Sequence, residues 1–282
     1  MTLHSALLQG AKLLEDAGVA APRLTAEVLL SHAIGRDRVY LYAHPEDELS
    51  ELGWIHYGRY LHERIGGKPT QYITKRQEFY GREFAVGPDV LIPRPETEHL
   101  VEAAIAKIRP VDTVLDVGTG SGAIATTLAL ETQSRIFASD VSIPALRVAA
   151  ANARRLEAAI TLVACDLASC FEPRSIDVLV SNPPYVPQTD QSVLQREVRE
   201  HEPPVALFAG PSGLEIYERL IEQARTVVRT GGWLLVELGY NSLGPVRDML
   251  GTEWINVEVR SDLAGLPRVL EAQHAASCKI RS

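Results

Sequence analysis

The sequence has few cysteines, no long apolar run and no excess of basic residues, and each shortage argues against a class of protein. Its three cysteines, Cys165, Cys170 and Cys278, form no C-x-x-C pair, which argues against a disulfide framework and indicates a reducing, cytoplasmic compartment. Because no long apolar run is visible, we expect neither a secretory signal nor a membrane span. A formal net charge of −8 argues against a dedicated nucleic-acid binder, since phosphate binding needs clustered lysine and arginine.

The side-chain spacings of a metal site or of a nucleophilic triad are also missing. The eight histidines are scattered, and Cys165 and Cys170 have no neighbours that would complete a ligand set. No group of nucleophile, base and acid can be identified, and no internal repeat is visible. We therefore expect no bound metal.

The hydrophobic content of 46% over 282 residues is ample for a packed core, and its pattern changes along the chain. Three runs with apolar residues at helical spacing end at Gly18, Gly35 and Gly66, and a short turn at 38–42 follows the second run. Two short strand-like runs then flank Gly81-Arg82, which predicts a β-hairpin. The predicted organisation is a helical domain at 1–67, a hairpin linker at 68–93 and a larger domain at 94–282.

In the larger domain, Val- and Ile-rich runs alternate with helical runs. This alternation predicts a parallel α/β sheet, whose ligands bind beyond the carboxyl ends of the strands. A turn at Gly231-Gly232 precedes the fifth strand, and the last two strands are expected to close the sheet as an antiparallel pair. The predicted strands are 113–117, 135–139, 160–164, 177–181, 233–238, 254–259 and 268–272.

The turn after the first strand of the sheet is rich in glycine. Glycine lets the backbone approach a ligand closely and present N–H groups at the start of a helix, although a lone glycine-rich turn is weak evidence. The second strand ends in Asp140, where a carboxylate can accept both hydroxyls of a ribose; it could equally cap the helix that begins near Ile143. Asp166 and Leu167, after the third strand, could border an adenine, but aspartate is also common in turns. The candidate cofactor-loop residues are Gly118, Thr119, Gly120, Ser121 and Gly122.

The fourth strand ends in Asn182-Pro-Pro-Tyr185. The Asn182 carboxamide and the carbonyl of Pro183 offer two acceptors, Pro183 and Pro184 stiffen the turn, and Tyr185 supplies a flat ring. Two acceptors at a fixed spacing match the two N–H bonds of a planar amine and can aim its nitrogen lone pair at an electrophile. This chemistry depends on positioning and needs no strong base.

Two further segments carry expectations. The stretch 188–213 has no clear period and is predicted to be a long structureless flap on the substrate side. Before it, Pro95, Glu96 and Glu98 are explained by the start of a helix, because proline suits the first helical position and acidic residues suit the positive helix end. Arg94 has no such local explanation, which leaves open whether it contacts cofactor or substrate.

The combination of these motifs resembles the peptide chain release factor glutamine methyltransferases, the PrmC/HemK family. The Asn-Pro-Pro-Tyr motif is shared with adenine-N6 and other amide methyltransferases, whereas Pro-Arg-Pro-Glu-Thr-Glu is much more specific to this family. The resemblance spans nearly the whole chain and continues after the Asn-Pro-Pro-Tyr loop. The motifs that carry it are Ile92–Glu98, Leu115–Gly122, Asp140, Val180–Tyr185, Glu202-Pro, Ala206-Leu and Gly213-Leu.

The resemblance implies a Rossmann-like class I S-adenosylmethionine-dependent methyltransferase domain with an N-terminal helical bundle and a β-hairpin linker. It implies that S-adenosylmethionine methylates the side-chain amide nitrogen of a glutamine in the Gly-Gly-Gln motif of class 1 release factors, with S-adenosylhomocysteine as product. The helical domain would bind the release factor, and the chain would act as a monomer without nucleic acid or membrane. In this scheme Gly118–Gly122 hold the amino-acid end of the cofactor, Asp140 holds the ribose, and Asp166 and Leu167 border the adenine. The family often has an aromatic residue where Leu167 lies. Asn182 adjoins both cofactor and substrate, and the residues that hold the amide are Asn182, Pro183, Pro184 and Tyr185.

Several alternatives remain open from the residues. A ribosomal-protein glutamine methyltransferase is the nearest, and a nucleic-acid adenine-N6 methyltransferase would use the same planar-amine pocket, against which the charge of −8 counts. A nicotinamide-dependent oxidoreductase would explain the glycine-rich turn but not Asn182–Tyr185. A catalytically inert binding module is a further alternative, but it would not explain the presence of Asp140 and Asn182.

Overall fold

The computed structural model describes residues 1–275 and divides into two compact units. The first comprises Met1–Arg76 and Gln195–His201, and the second comprises Gln77–Leu194 and the chain from Glu202 onward. The domain limits at 67 and 93 remain predictions. Cys278 lies outside the described residues, and the last strand extends to His274.

The described residues form twelve α-helices and eleven strands. The helices are α1 (Leu3–Asp16), α2 (Pro22–Ile34), α3 (Arg38–Ala43), α4 (Glu51–Ile65), α5 (Thr70–Thr74), α6 (Glu98–Lys107), α7 (Ala123–Glu131), α8 (Ile143–Arg155), α9 (Arg196–His201), α10 (Pro204–Leu207), α11 (Glu215–Val227) and α12 (Leu243–Met249). The strands are β1 (Arg76–Phe79), β2 (Arg82–Ala85), β3 (Thr113–Val117), β4 (Arg135–Asp140), β5 (Ile160–Ala164), β6 (Ile176–Ser181), β7 (Val186–Pro187), β8 (Phe208–Gly210), β9 (Val228–Glu237), β10 (Trp254–Ser261) and β11 (Pro267–His274).

The helices of the first unit begin and end where the sequence provides caps. The hydroxyl of Thr2 accepts from the backbone N–H of Ser5 at 3.2 Å, and the hydroxyl of Ser50 accepts from Gly53 at 3.1 Å. Such caps satisfy N–H groups that have no partner within the helix. Gly35 ends α2 in the left-handed conformation. The prediction of a turn at 38–42 was wrong, because Asp37 caps α3 by accepting from the N–H of Tyr40 at 2.8 Å.

The core of the first unit depends on a close approach of α1 and α4. A Cβ atom on Gly10 would lie 1.9 Å from the hydroxyl oxygen of Tyr57, so glycine is required for the buried tyrosine to pack there. The late segment 195–201 contributes an ion pair, in which Nη2 of Arg64 lies 2.5 Å from Oε2 of Glu197. The unit is therefore built from two separate stretches of chain.

A seven-stranded sheet forms the centre of the second unit, in the order β10-β11-β9-β6-β3-β4-β5. Five consecutive strands of this order are parallel to one another, namely β9, β6, β3, β4 and β5. At one edge of the sheet, β11 pairs with β9 and β10 pairs with β11, both antiparallel. One buried cluster includes Leu115, Tyr217 and Leu234, and another includes Leu100, Leu128 and Leu235. Leu234 and Leu235 are successive residues of β9, whose side chains point to opposite faces, so both faces of the sheet are covered. This arrangement confirms the predicted Rossmann-like class I fold.

The hairpin predicted around Gly81-Arg82 is present as the pair β1 and β2. It is fixed to the second unit by the backbone N–H of Tyr80, which donates to Glu98 at 2.8 Å, and by Asn152, whose carboxamide bonds both backbone groups of Ala85 at 2.7 and 3.0 Å. The antiparallel pair at 254–259 and 268–272 is also confirmed, with both strands longer than predicted.

Two further predictions about local structure were wrong. The stretch 188–213 is not structureless, because it contains a 3-10 segment at Gln188–Val193, two short helices and strand β8, which pairs with β7. Gly231-Gly232 does not separate a helix from a strand. It lies inside β9, in an irregularity where the register with β6 jumps between Ile176 and Val178.

No helix within residues 1–275 is long and apolar enough to cross a membrane.

Candidate active site

The candidate site lies at the carboxyl edge of the parallel strands. Three strands end close together there, because Val117 of β3 lies opposite Ser139 of β4 and Ser181 of β6. Next along the sheet, Asp140 lies opposite Ala164 at the end of β5, and Ser181 lies opposite Val236 near the end of β9. The loops predicted to carry the chemistry therefore leave the same edge of one sheet.

The glycine-rich turn at 118–122 is held in a fixed shape by backbone hydrogen bonds. The N–H groups of Gly118 and Thr119 both donate to the carbonyl of Ser139, at 2.9 and 3.0 Å. Gly118, Gly120 and Gly122 all have positive φ, which glycine adopts without strain. A Cβ on Gly122 would meet Ala149 at 3.0 Å, but one on Gly118 or Gly120 would meet nothing within 4 Å. Gly122 thus packs on α8, whereas Gly118 and Gly120 border open space that a ligand can use.

Asp140 is joined directly to this turn. Its Oδ2 accepts from the N–H of Gly120 at 2.9 Å, and its Oδ1 accepts from the N–H of Ser142 at 2.8 Å. The N-cap of α8 is Ser142 rather than Asp140. A carboxylate has about four acceptor positions. Asp140 therefore keeps capacity for two hydroxyl donors while it holds the loop.

The two residues predicted to border an adenine differ in their surroundings. Leu167 is half-buried, and its carbonyl accepts from the hydroxyl of Ser139 at 2.8 Å, which brings this turn to the end of β4. Asp166 is exposed and forms an ion pair with Arg219 of α11. Leu167 therefore lies beside the predicted site, whereas the Asp166 carboxylate is partly engaged elsewhere.

Asn182 follows β6 and is held by a side chain that lies 85 residues earlier in the chain. Its Nδ2 donates to the hydroxyl of Thr97 at 3.1 Å. Pro183 is buried, and Tyr185 packs so closely on the backbone of Gly239 that a Cβ there would lie 2.7 Å from Cδ2 of the ring. Burial raises the pKa of the Tyr185 phenol to about 12, so it stays protonated at neutral pH.

Arg94 has a clear partner within the second unit. Its Nη2 lies 2.5 Å from Oε1 of the buried Glu202, whose Oε2 accepts from the N–H of Ile92 at 3.4 Å. Glu202 therefore ties the Pro-Arg-Pro segment to the stretch that follows β7. This ion pair explains Arg94 without a ligand.

Two buried carboxylates were missed as candidate site residues. Burial raises the pKa of Asp116 to about 7, although the Thr119 hydroxyl donates to its Oδ2 at 2.6 Å and the N–H of Ala125 donates at 3.2 Å. Burial likewise raises the pKa of Glu237 to about 7, partly offset by the hydroxyl of Thr97. The available signal was an acidic residue at or near the end of an apolar run, the same pattern that identified Asp140.

The chemistry of this edge suits a nucleoside cofactor and a planar amine. Open space borders Gly118 and Gly120, and Oδ1 of Asp116 is buried without a hydrogen-bond partner among residues 1–275. Such an atom suits a donor group at the polar end of a cofactor. Asn182 and Pro183 add acceptors, and the ring of Tyr185 adds a flat apolar face.

Two parts of the chain match family models of known proteins. Residues 5–74 match the family model described as the PrmC N-terminal domain, and residues 96–203 match the methyltransferase small domain. A solved structure of a methyltransferase from Pyrococcus furiosus is 17% identical, with a TM-score of 0.54 over 73% of this chain and 94% of that chain, and this likeness concerns the fold alone.

Full-length relatives are closer. The chain is 45% identical to the release factor glutamine methyltransferase of Koribacter versatilis (strain Ellin345), over 98% of this chain and 100% of that protein. It is 41% identical to the protein of the same name from Nitratidesulfovibrio vulgaris, over 96% of this chain and 95% of the relative. At this identity and coverage, the chain belongs to the release factor glutamine methyltransferase family.

Proposed function

We propose that this protein transfers a methyl group from S-adenosylmethionine to the side-chain amide nitrogen of the glutamine in the Gly-Gly-Gln motif of class 1 release factors. The observation that carries the proposal is the Asn182 loop at the carboxyl edge of the sheet, with the carboxamide nitrogen held by Thr97 at 3.1 Å. Family membership supports the choice of a glutamine amide over other planar amines.

The glycine-rich turn and the carboxylates near it would hold the cofactor. Gly118–Gly122 would take the amino-acid end, Asp140 the ribose hydroxyls, and Leu167 with Asp166 the edge of the adenine. When bound, S-adenosylmethionine supplies an electrophilic methyl carbon on a sulfonium. The protein's own contribution is to fix this group through backbone N–H groups and carboxylates that are already in place.

The Asn182 loop would hold the acceptor amide. The carbonyl oxygens of Asn182 and Pro183 accept the two N–H bonds of the glutamine side chain, while Tyr185 packs on its plane and Pro184 keeps the turn rigid. An amide nitrogen is a poor nucleophile because its lone pair is delocalised. Holding both N–H bonds turns the lone pair out of conjugation, and the two acceptors stabilise the positive charge that develops on nitrogen. The methylated nitrogen then releases one of its two protons to water, which restores a neutral amide.

The first unit would bind the protein substrate. Residues 5–74 match the PrmC N-terminal domain model. The unit exposes several large apolar side chains, among them Val39, Leu52 and Ile55, which are 72%, 63% and 57% exposed. Exposed apolar groups of this size are suited to a protein partner.

The decisive experiment incubates a class 1 release factor with the protein and S-adenosylmethionine and locates the methyl group by mass spectrometry of the peptides. We expect one methyl group on the Gly-Gly-Gln glutamine. Asn182→Ala should abolish transfer and leave the cofactor affinity largely unchanged, whereas Asn256→Ala, the same change on an exposed residue of β10, should retain transfer. A methyl group on another protein or on adenine, with none on the release factor, would contradict the proposal.

A further inference from the structure

Two buried polar side chains lie beside the Asn182 carboxamide. Thr97 and Glu237 are 4% and 3% exposed, and Thr97 accepts from Nδ2 of Asn182 at 3.1 Å. Glu237 is the last residue of β9, and the pairing of Ser181 with Val236 makes Glu237 and Asn182 the next residues along two neighbouring strands. Thr97, Asn182 and Glu237 come from three separate segments of the chain.

The two ends of a carboxamide are nearly equal in size and opposite in hydrogen-bonding role. Only the partners of the group decide which end faces a ligand. If the Asn182 oxygen is to accept an N–H bond of the substrate, its NH2 group must be satisfied elsewhere. A Thr97 hydroxyl that accepts from Nδ2 meets this requirement.

A hydroxyl alone does not enforce the choice, because it can donate to the oxygen of Asn182 as readily as it accepts from the nitrogen. An ionised carboxylate removes the ambiguity, since it only accepts. Burial and the charge of Glu96 raise the pKa of Glu237, whereas the Thr97 hydroxyl, the charge of Arg268 and the Asn182 carboxamide lower it and so favour the ionised form. Oε2 of Glu237 is buried and has no hydrogen-bond partner in the part of the chain that the structure describes, so it retains capacity to accept from a neighbouring donor.

We propose that Thr97 and Glu237 are positioning residues that keep the Asn182 carboxamide oxygen turned toward the substrate nitrogen. The Thr97 hydroxyl donates a hydrogen bond to Glu237, and its oxygen accepts one from the Asn182 NH2 group. The inference rests on the proposed function, since it assigns a role within the same amide-binding site.

The test is steady-state methylation of a release factor by the full chain. Thr97→Val removes the hydroxyl and keeps the shape of the side chain. We expect kcat to fall roughly 10- to 100-fold, less than the 100- to 1,000-fold typical for removing a group that touches the transition state directly. KM for the release factor and Kd for S-adenosylmethionine should change less than about twofold, because most of the binding surface is untouched.

Two variants separate positioning from folding. Thr97→Ser should recover most of the lost kcat, since it restores the hydroxyl. Thr127→Val makes the same change at a buried threonine of α7 whose hydroxyl has no hydrogen-bond partner among residues 1–275, and it should retain wild-type kcat. If Thr97→Ser is as slow as Thr97→Val, or if Thr97→Val is fully active, the inference is wrong.

The role of Glu237 is tested by a double-mutant cycle. Glu237→Gln should lower kcat, because the amide of glutamine can donate a hydrogen bond to Thr97. The Thr97 hydroxyl is then free to donate to the Asn182 oxygen instead of accepting from the Asn182 nitrogen. The double variant Thr97→Val/Glu237→Gln should be no slower than the slower single variant, since both act through one orientation of Asn182. Multiplicative losses would mean that the residues act separately and would overturn the inference. If the wild-type protein fails to methylate the release factor, the proposed function fails instead.

Discussion

The raised pKa of Asp116 predicts a measurable effect on stability. A carboxyl group whose pKa rises from 3.8 to about 7 on folding binds its proton more tightly in the folded state. Above pH 4 the unfolded chain releases this proton while the folded chain keeps it, so the stability contributed by this group decreases as the pH rises toward 7. Between pH 5 and pH 8 the free energy of unfolding should fall by about 2–3 kcal/mol through Asp116 alone.

Asp116→Asn isolates this contribution, because an amide of the same shape does not titrate. Urea unfolding of the wild type and the variant at pH 5 and pH 8, followed by the fluorescence of Trp233 and Trp254 in the second unit, gives four free energies. Any constant cost of placing an amide at position 116 cancels in the difference between the two pH values, as do the other titrating groups. The variant should lose about 2–3 kcal/mol less than the wild type on going from pH 5 to pH 8. Equal losses in the two proteins would show that Asp116 is ionised throughout and would refute the reasoning.

Three further changes test separate parts of the site. Asp140→Ala should weaken S-adenosylmethionine binding by roughly 10- to 100-fold, as expected for lost bonds to a charged acceptor, and unchanged affinity in a calorimetric titration would remove Asp140 from the ribose site. Gly239→Ala should push the Tyr185 ring aside at a cost of about 1–3 kcal/mol, seen as a lower Tm together with a lower kcat; a wild-type Tm would show that the ring is free to move. Glu202→Gln should cost about 1–2 kcal/mol in urea unfolding, because Arg94 loses a charged partner, and transfer should persist at saturating substrate; complete loss of transfer would assign Arg94 and Glu202 a role beyond structure.

The fold was predictable from the sequence where the signal is local. The alternation of apolar strands and helices, the glycines at 118–122 and the carboxylate of Asp140 all report structure within a few residues, and the structure contains each of them. The Asn182 loop was recognisable because two prolines and an asparagine end a buried strand.

What could not be predicted depends on contacts between distant residues. The stretch 188–213 has no period because its short elements are held by partners such as Arg94 rather than by a continuous apolar face. Thr97 was given no role from the sequence, and its bond to Asn182, 85 residues away, becomes visible only when the fold brings the two segments together. The role of Glu237 could not be predicted for the same reason, since the role of a lone acidic residue in an apolar strand depends on the side chains that the fold places beside it.

The ion pair between Arg64 and Glu197 affects when the first unit can complete its fold during translation. The guanidinium of Arg64 is largely enclosed and emerges from the ribosome more than a hundred residues before the carboxylate that neutralises it. Arg64 therefore lacks this carboxylate until most of the downstream domain has been translated. A gene fragment that stops at residue 76 would encode a bundle with that cation exposed, and adding residues 195–201 as a separate peptide should raise its melting temperature.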